Sequence, residues 1–245
     1  MTRAQRTALI TALALAATLM FPDVAYADEN TEYIKWGIHE AYVSGYPDGS
    51  FRPGRYMTRE ETASVFNRLL GNGNSSEKRD IVFTDVGADR WSSSAIYSLV
   101  DAGVICGDDK GMYRPEDNIT RAEMAVFMSA LSQSKSMSKT FSDISGHWAE
   151  DSIRKAATQG WISGYTDGTF KPDEYITRAE TVLFINNVLG RAPENTDSLL
   201  PEMKKFSDNT DTSTWYYFAI QEAANSHEYA LKKSGHEVWN LILSS

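Results

Sequence analysis

Three arginines occupy the same place in a pattern that this chain repeats three times, roughly 60 residues apart. They are Arg59, Arg121 and Arg178, each preceded by threonine and followed two residues later by glutamate. A guanidinium group suits bidentate binding of a carboxylate or phosphate, and the unpaired N–H groups at a helix start favour the same anions. One role for the arginines is therefore an anionic-ligand pocket in each repeat.

A structural role is the alternative for these arginines. The chain carries a formal net charge of −9, so an Asp or Glu is available to pair with each guanidinium and join one repeat to the next. Because the start of a helix carries partial positive charge, an arginine there is disfavoured by roughly a few tenths of a kcal/mol and needs compensation. The residues alone leave both roles open, and both can hold in turn if a ligand displaces an internal partner.

The threonines and glutamates have a sufficient structural explanation. In a Thr-x-x-Glu capping box, the hydroxyl accepts from a first-turn N–H and the glutamate reaches back to the cap. The predicted helix-capping residues are Thr58, Glu61, Thr120, Glu123, Thr177 and Glu180. Apolar residues recur at helical spacing after each box, as in Ala63, Phe66 and Leu70, so an amphipathic helix is predicted there.

A glycine-rich loop precedes each capping box. The loops run from the first glycine of the pattern to its proline, 45–53, 107–115 and 164–172, and we number them first to third. Pro47-Asp48-Gly49 and Thr166-Asp167-Gly168 are typical of turns. Tyr46 and Tyr165 have two interpretations, stacking on a sugar face or packing within the loop.

Two further elements lie upstream of the loops. A second helical pattern is predicted in 34–38, 96–104 and 153–162, so each repeat is predicted to fold as helix, loop, helix. A Phe-x-Asp element with a later Trp begins at Phe83, Phe141 and Phe206. The first repeat lacks this element, whereas the tail has it without a following loop and capping box. The tail is therefore predicted to pack beside the first repeat and close a ring.

The ends of the sequence predict export. Arg3 and Arg6 precede an apolar run, and Ala25-Tyr26-Ala27 provides a cleavage site, so 1–27 is predicted to be a signal peptide. No later segment is apolar enough over a sufficient length to predict a membrane anchor after cleavage. The predicted organisation is 28–72 for the first repeat, 81–133 for the second, 139–191 for the third and 204–245 for a closing segment.

The repeated motifs resemble those of the S-layer homology family. The third repeat carries the resemblance most fully, in Gly164-Tyr165-Thr166-Asp167-Gly168-Thr169-Phe170-Lys171-Pro172 and Ile176-Thr177-Arg178-Ala179-Glu180. The resemblance implies a mainly α fold, with three helix-loop-helix repeats in a pseudo-threefold helical spindle and ligand grooves between them. It also implies a non-catalytic protein of the bacterial cell surface that holds cell-wall polymers without covalent bonds.

The resemblance also narrows the ligand. The usual ligand of the family is a secondary cell-wall polysaccharide that bears ketal-linked pyruvate, and the alternative is peptidoglycan modified with a polyamine. Other surface-layer proteins are further candidate partners. The residues predicted to bind the ligand are Arg59, Arg121, Arg178, Tyr46, Tyr165, Asp48, Asp167, Gly45, Gly107 and Gly164.

Two repeats depart from the family pattern. In the first, Glu60 replaces a small alanine and places a carboxylate beside Arg59, where it could compete with an anionic ligand. In the second loop, Asp108 stands where the others have tyrosine, and Lys110 stands where they have aspartate. The third repeat is therefore the preferred candidate for binding.

Other classes of protein are less well supported. The acidic charge argues against binding of nucleic acid. The four histidines show no metal-ligand spacing, and no Gly-x-Ser-x-Gly motif occurs, so no catalytic residue, metal or cofactor is predicted. A wall-acting glycoside hydrolase, which needs only two suitably placed carboxylates, is the lower-ranked alternative.

Overall fold

The computed structural model describes residues 32–71, 81–132 and 136–243. The predicted signal peptide lies outside these residues. The described chain forms two compact units, one made of 56–176 and the other of 32–55 together with 177–243. Within the described ranges, no helix has the length and apolar character needed to cross a membrane.

Four helices form the unit made of 56–176. They are α1 (Arg59–Leu69), α2 (Ser93–Asp101), α3 (Arg121–Leu131) and α4 (Glu150–Thr158). Helix α1 packs against α2, and α3 packs against α4. The rings of Phe66 and Phe127 lie 5.2 Å apart and join α1 to α3 in the core of the unit.

The other unit contains two helices and a sheet. In chain order its elements are β1 (Tyr33–His39), α5 (Arg178–Leu189), a short 3-10 turn (Thr196–Ser198), α6 (Tyr217–Ala224), β2 (His227–Lys232) and β3 (Glu237–Ile242). The sheet is antiparallel with the order β1-β2-β3. Helix α5 packs against α6.

The predicted mainly α fold is wrong, because the chain combines helices with this three-stranded sheet. The segment 34–38, predicted as a helix, lies in β1, and the last part of the described chain forms β2 and β3. Ile34 and Ile38 have the four-residue spacing of a helix face, but β1 pairs with β2, nearly 200 residues later. Pairing at that distance leaves no local signal.

The capping boxes are present at the starts of α1, α3 and α5. In each, the threonine hydroxyl accepts from the glutamate N–H, and the glutamate carboxylate accepts from the threonine N–H. The residues just before the threonines of the boxes, Met57, Ile119 and Ile176, are buried. Their backbones form a closed cycle, in which Met57 donates to Ile176, Ile176 to Ile119, and Ile119 to Met57, at 2.9 to 3.2 Å. The cycle fixes Met57, Ile119 and Ile176 relative to one another within the unit that contains all three.

Each Phe-x-Asp element holds one loop. The ring of Phe141 packs on Gly164, and the Asp143 carboxylate accepts from the N–H groups of Phe170 and Lys171 at 2.8 and 2.7 Å. Phe83 and Asp85 make the same contacts with the second loop. Phe206 and Asp208, from the tail, make them with the first loop.

The first glycine of each loop is expected to be required for this packing. A Cβ on Gly164 would lie 2.5 Å from both the Phe141 ring and the Thr169 carbonyl oxygen, and the latter is backbone that cannot easily move. Gly164→Ala should therefore lower the free energy of unfolding by about 1–3 kcal/mol, as measured by urea denaturation. Gly54→Ala is the control, because a Cβ there meets no atom within 4 Å. Equal midpoints for the two variants would contradict this account.

Candidate functional site

The three repeated arginines lie against loops of other repeats. Each is the first residue of its helix and is buried, with 2–7% of its surface exposed. The Nε atom of Arg121 donates to the carbonyl of Phe170 in the third loop, at 2.8 Å. The Nε atom of Arg178 donates to Phe51 in the first loop, at 3.0 Å. Arg59 makes the same bond to Tyr113 in the second loop, at 2.7 Å.

The outer guanidinium nitrogens also bond to other repeats. Arg121 donates to the carbonyl of Ser163, and Arg178 donates to that of Ser44. Arg59 forms an ion pair with the Glu123 carboxylate. Each arginine therefore binds the loop of a different repeat. The pocket predicted from the sequence instead combines the arginine and the loop of the same repeat.

At the helix starts, where the sequence predicts an anion site, the N–H groups have partners within the chain. The N–H of Arg121 donates to Glu174, and that of Ala122 donates to Pro172, both at 2.9 Å. The first two N–H groups of α1 donate in the same way to carbonyls at the end of the second loop and just after it. Those of α5 donate to the corresponding carbonyls of the first loop. The third N–H in each helix belongs to the capping box. An anionic ligand would have to break backbone hydrogen bonds to reach these groups.

Positive charge instead gathers around the tyrosine of the first loop. The guanidinium carbons of Arg52, Arg178 and Arg55 lie 4.0, 5.1 and 6.0 Å from the centroid of the Tyr46 ring. Arg52 is also paired with Asp48 at 2.9 Å. Three arginines and one aspartate therefore lie around Tyr46, in a chain that is acidic overall.

The tyrosine of the third loop also has cationic side chains near its ring, two rather than three. The guanidinium of Arg121 lies 4.8 Å from the centroid of the Tyr165 ring, and the ammonium of Lys171 lies 4.5 Å from it. Tyr165 is 41% exposed, so its ring is accessible to a ligand from outside.

The second loop lacks this combination. Asp108 takes the place of the tyrosine, and its carboxylate accepts from the N–H groups of Lys110 and Met112, both at 2.9 Å. Arg114, which corresponds to Arg52 and Lys171, lies 3.5 Å from Asp108. The position that holds a tyrosine in the other loops therefore holds a carboxylate beside the cation in the second loop.

Asp48 and Asp167 stabilise the turns in which they lie. The Oδ1 atom of Asp167 accepts from the N–H and hydroxyl of Thr169 at 3.0 and 2.6 Å, and Asp48 has the same bonds with Ser50. Hydrogen bonds from Ser50 and Arg52 hold the pKa of Asp48 well below its usual range, and those from Thr169 lower the pKa of Asp167. Both carboxylates are therefore ionised at neutral pH, and each already accepts within its turn.

Glu60 points to a different arginine from the one beside it. Its carboxylate accepts from both Arg90 nitrogens at 2.8 and 2.9 Å and from the Ser92 hydroxyl at 2.6 Å. Burial by itself raises the pKa of Glu60, but the hydrogen bonds from Arg90 and Ser92 outweigh it and leave the pKa below its ordinary value. This carboxylate is ionised and accepts hydrogen bonds from Arg90 and Ser92, which lie just before α2. It does not pair with Arg59.

The sequence analysis missed the cations of the loops. Arg52, Arg114 and Lys171 occupy the same loop position and adopt the left-handed backbone conformation, with φ of 59°, 58° and 56°. The recurrence of Arg or Lys just before the loop proline was visible in the sequence, but that signal did not indicate that the side chains of Arg52 and Lys171 lie over the tyrosine rings.

Comparison with known proteins gives a consistent assignment. The S-layer homology domain family matches residues 21–63, 82–125 and 140–182, which together make up more than half of the chain. The chain is 38% identical to Cell surface glycoprotein 1 of Acetivibrio thermocellus over 211 residues, which cover 80% of this chain and 9% of that protein. It is 35% identical to the Cellulosome-anchoring protein of the same organism, over 82% of this chain and 46% of that protein.

A third relative, the S-layer protein of Bacillus licheniformis, is 31% identical over 75% of this chain and 21% of its own length. The chain thus spans less than half the length of each of these relatives. The matched segments include all three Thr-Arg-x-Glu motifs and the Phe-x-Asp elements that begin at Phe83 and Phe141. The chain belongs to the S-layer homology family.

Proposed function

We propose that this chain is a non-catalytic wall-binding module of the bacterial cell surface. It attaches without covalent bonds to a secondary cell-wall polysaccharide that carries ketal-linked pyruvate. The observation that carries the proposal is the group of Arg52, Arg55 and Arg178 around Tyr46. Cations beside an aromatic ring match a ligand with a carboxylate on a sugar.

The cations of the loops favour a functional role over a purely structural one. A left-handed backbone conformation is most easily adopted by glycine, and any other residue there carries a cost of about 1 kcal/mol. The first and third loops nevertheless have Arg52 and Lys171 in this conformation, each with its charge at the loop tyrosine. Strained residues of this kind tend to be kept where their side chains bind something.

The three loops are expected to differ in affinity. In the first loop three arginines surround Tyr46, and the third has Arg121 and Lys171 beside an exposed ring. In the second loop Asp108 replaces the tyrosine and lies near Arg114. The preferred candidates are therefore the Tyr46 and Tyr165 positions. The sequence analysis had favoured the third repeat alone, with Tyr165 and Arg178 together.

The anchoring role agrees with what the names of the relatives state of those proteins, which are a cellulosome-anchoring protein and a surface-layer protein. The proposed partners are the wall polysaccharide and, at the same surface, other surface-layer proteins. A wall-acting hydrolase is the competing class, and loss of turbidity in a suspension of wall sacculi on addition of the chain would favour it.

Binding to purified wall sacculi is expected to depend on pyruvate. Sedimentation of the chain with sacculi should be strong before mild acid treatment that removes ketal pyruvate and should fall by at least about tenfold in affinity after it, since charge-assisted hydrogen bonds of this kind contribute about 1.5–3 kcal/mol. Unchanged binding would exclude pyruvate as the ligand group. Absence of binding to both preparations would contradict the anchoring role itself.

Removal of one loop cation is expected to weaken binding selectively. Arg52→Gln should raise the dissociation constant for pyruvylated sacculi about tenfold, because a charge beside Tyr46 is lost. Arg114→Gln is a closely matched control: φ is 58° against 59°, and the side chain is 45% exposed against 48%. This control should bind as the unaltered chain does.

The same pair of variants separates the two wall ligands. If Arg52→Gln and Arg114→Gln weaken binding equally, the effect is one of net charge and the Tyr46 position is not the site. A polyamine-modified peptidoglycan carries positive groups, so for that ligand the loss of Arg52 should strengthen binding or leave it unchanged.

The exposed loop tyrosine is expected to contribute to sugar binding. Tyr165→Ala should weaken binding to pyruvylated sacculi by about 3- to 10-fold, the loss of one ring contact of about 1 kcal/mol. Tyr175→Ala serves as the control, because Tyr175 is 48% exposed and lies after the loop rather than in it. Equal binding by the two variants would remove Tyr165 from the site.

A further inference from the structure

Four titratable side chains meet in the interior of the unit that contains the sheet. They come from four elements: His39 ends β1, Glu222 lies in α6, His227 begins β2 and Glu237 begins β3. Each offers one nitrogen or oxygen atom, and these atoms all lie within 4.8 Å of one another. The sequence analysis found no metal-ligand spacing because the four positions are scattered over almost 200 residues and only the fold brings them together.

The cluster is buried. Glu222 and His227 have no exposed surface, Glu237 is 2% exposed and His39 is 9% exposed. Two carboxylates in such a place are costly unless positive charge or protons compensate them. A positive partner inside the cluster would remove that cost.

The orientation of His227 identifies where such a partner belongs. Its Nδ1 atom lies 2.9 Å from the carbonyl oxygen of Asn225, and a carbonyl can only accept, so Nδ1 carries a proton. In the neutral ring the Nε2 atom then has a lone pair, which faces Glu222 Oε2 at 3.4 Å. Among the described residues, neither His227 Nε2 nor Glu237 Oε2 has a hydrogen-bond partner, although both atoms are buried.

The surrounding side chains hold this arrangement in place. The indole of Trp239 stacks on His227 at 4.0 Å and donates its N–H to Glu222 Oε2 at 3.0 Å. The ring of Tyr229 stacks on His39, also at 4.0 Å. The bonds from Asn225 and Trp239 are of the kind by which outer residues orient metal ligands.

We propose that His39, Glu222, His227 and Glu237 form a structural Zn²⁺ site. Zinc takes four nitrogen and oxygen ligands at about 2.0–2.2 Å in a tetrahedron, whose edges are then about 3.3–3.6 Å. His39 Nδ1 lies 3.0 Å from Glu222 Oε1 and 3.4 Å from Glu237 Oε2, and His227 Nε2 lies 3.4 Å from Glu222 Oε2. Two of these distances fall within the range of a tetrahedral edge, and the third is slightly shorter. The two carboxylates balance the double charge of the ion.

The proton state of the histidines is compatible with this site. Burial lowers the pKa of His227 to about 4 and lowers that of His39 as well, so both rings are neutral at pH 7, which is the form that binds metal. Burial raises the pKa of Glu222 and of Glu237. The competing account is therefore a metal-free cluster in which the acids hold protons. It predicts no zinc binding.

An ion at this position would join α6 to all three strands of the sheet. Its effect would be on the stability of this unit, because ligands from four elements are held at once and the unfolded chain has no preformed site. The inference does not depend on the proposed wall ligand, since the cluster and the loop tyrosines are different residues.

The test measures the metal directly. The chain, without an affinity tag, is dialysed against trace zinc, and its bound metal is determined by elemental analysis. About one zinc ion per chain is expected, together with a lower melting temperature after removal of zinc by a chelator and its recovery on addition of zinc. Replacement by Co²⁺ should give the intense visible absorption of a tetrahedral site.

Matched variants assign the ion to the cluster. His39→Gln removes a ligand and should lower the affinity for zinc by at least about tenfold. His236→Gln makes the same change at a half-buried histidine of the same unit that is not one of the four proposed ligands, and it should keep the full zinc content and the cobalt spectrum. Zinc-free protein without cobalt bands, or equal zinc retention by both variants, would overturn the proposal. Because metal content and the cobalt spectrum are read on the unaltered chain, the test does not rely on a variant that fails to fold.

Discussion

The first turn of each capping-box helix depends on backbone carbonyls from a different repeat. The N–H groups of Arg121 and Ala122 donate to residues in and just after the third loop, and the guanidinium of Arg121 donates to Phe170 in that loop and to Ser163 just before it. Buried N–H groups without partners would cost about 1–3 kcal/mol each. The N–H groups at a helix start therefore have hydrogen-bond acceptors only when the loop of the other repeat is in place. That loop is itself fixed by hydrogen bonds to the aspartate of a Phe-x-Asp element. This interdependence explains why an arginine is tolerated where the helix dipole opposes it.

The same constraint decides where an anion can bind. Since carbonyls occupy the helix starts, the dipole and the free N–H groups are not available, and the remaining positive charge is that of side chains at the loop surface. The three loops share one backbone arrangement but differ at the tyrosine position: three arginines surround Tyr46, an arginine and a lysine surround Tyr165, and Asp108 replaces the tyrosine near Arg114 in the second loop. Repeats of one backbone arrangement can thus differ in binding by one or two substitutions on the loop.

The sequence was most informative where the structure is local. Thr-x-x-Glu, the Gly-Pro loop and the later apolar spacing all act within a few residues, and the helices begin where the boxes stand. The sheet was missed because β1 and β2 are at opposite ends of the described chain, although Lys233-Ser234-Gly235 between two apolar runs is a hairpin signal that could have indicated β2 and β3. The pairing of each arginine with another repeat's loop, and the meeting of His39 with Glu222, are properties of tertiary structure that spacing does not encode.

The aspartate of the Phe-x-Asp element links stability to the proposed binding. Its carboxylate accepts from two successive N–H groups, the second of which belongs to the left-handed residue: Arg52 for Asp208, Arg114 for Asp85 and Lys171 for Asp143. These bonds, at 2.7 to 2.8 Å, offset the conformational cost of a residue other than glycine at that position. A long cationic side chain can then stand at the loop surface without loss of the fold. In the first loop, the cation that lies closest to Tyr46 is held in place by a carboxylate from the tail, that of Asp208.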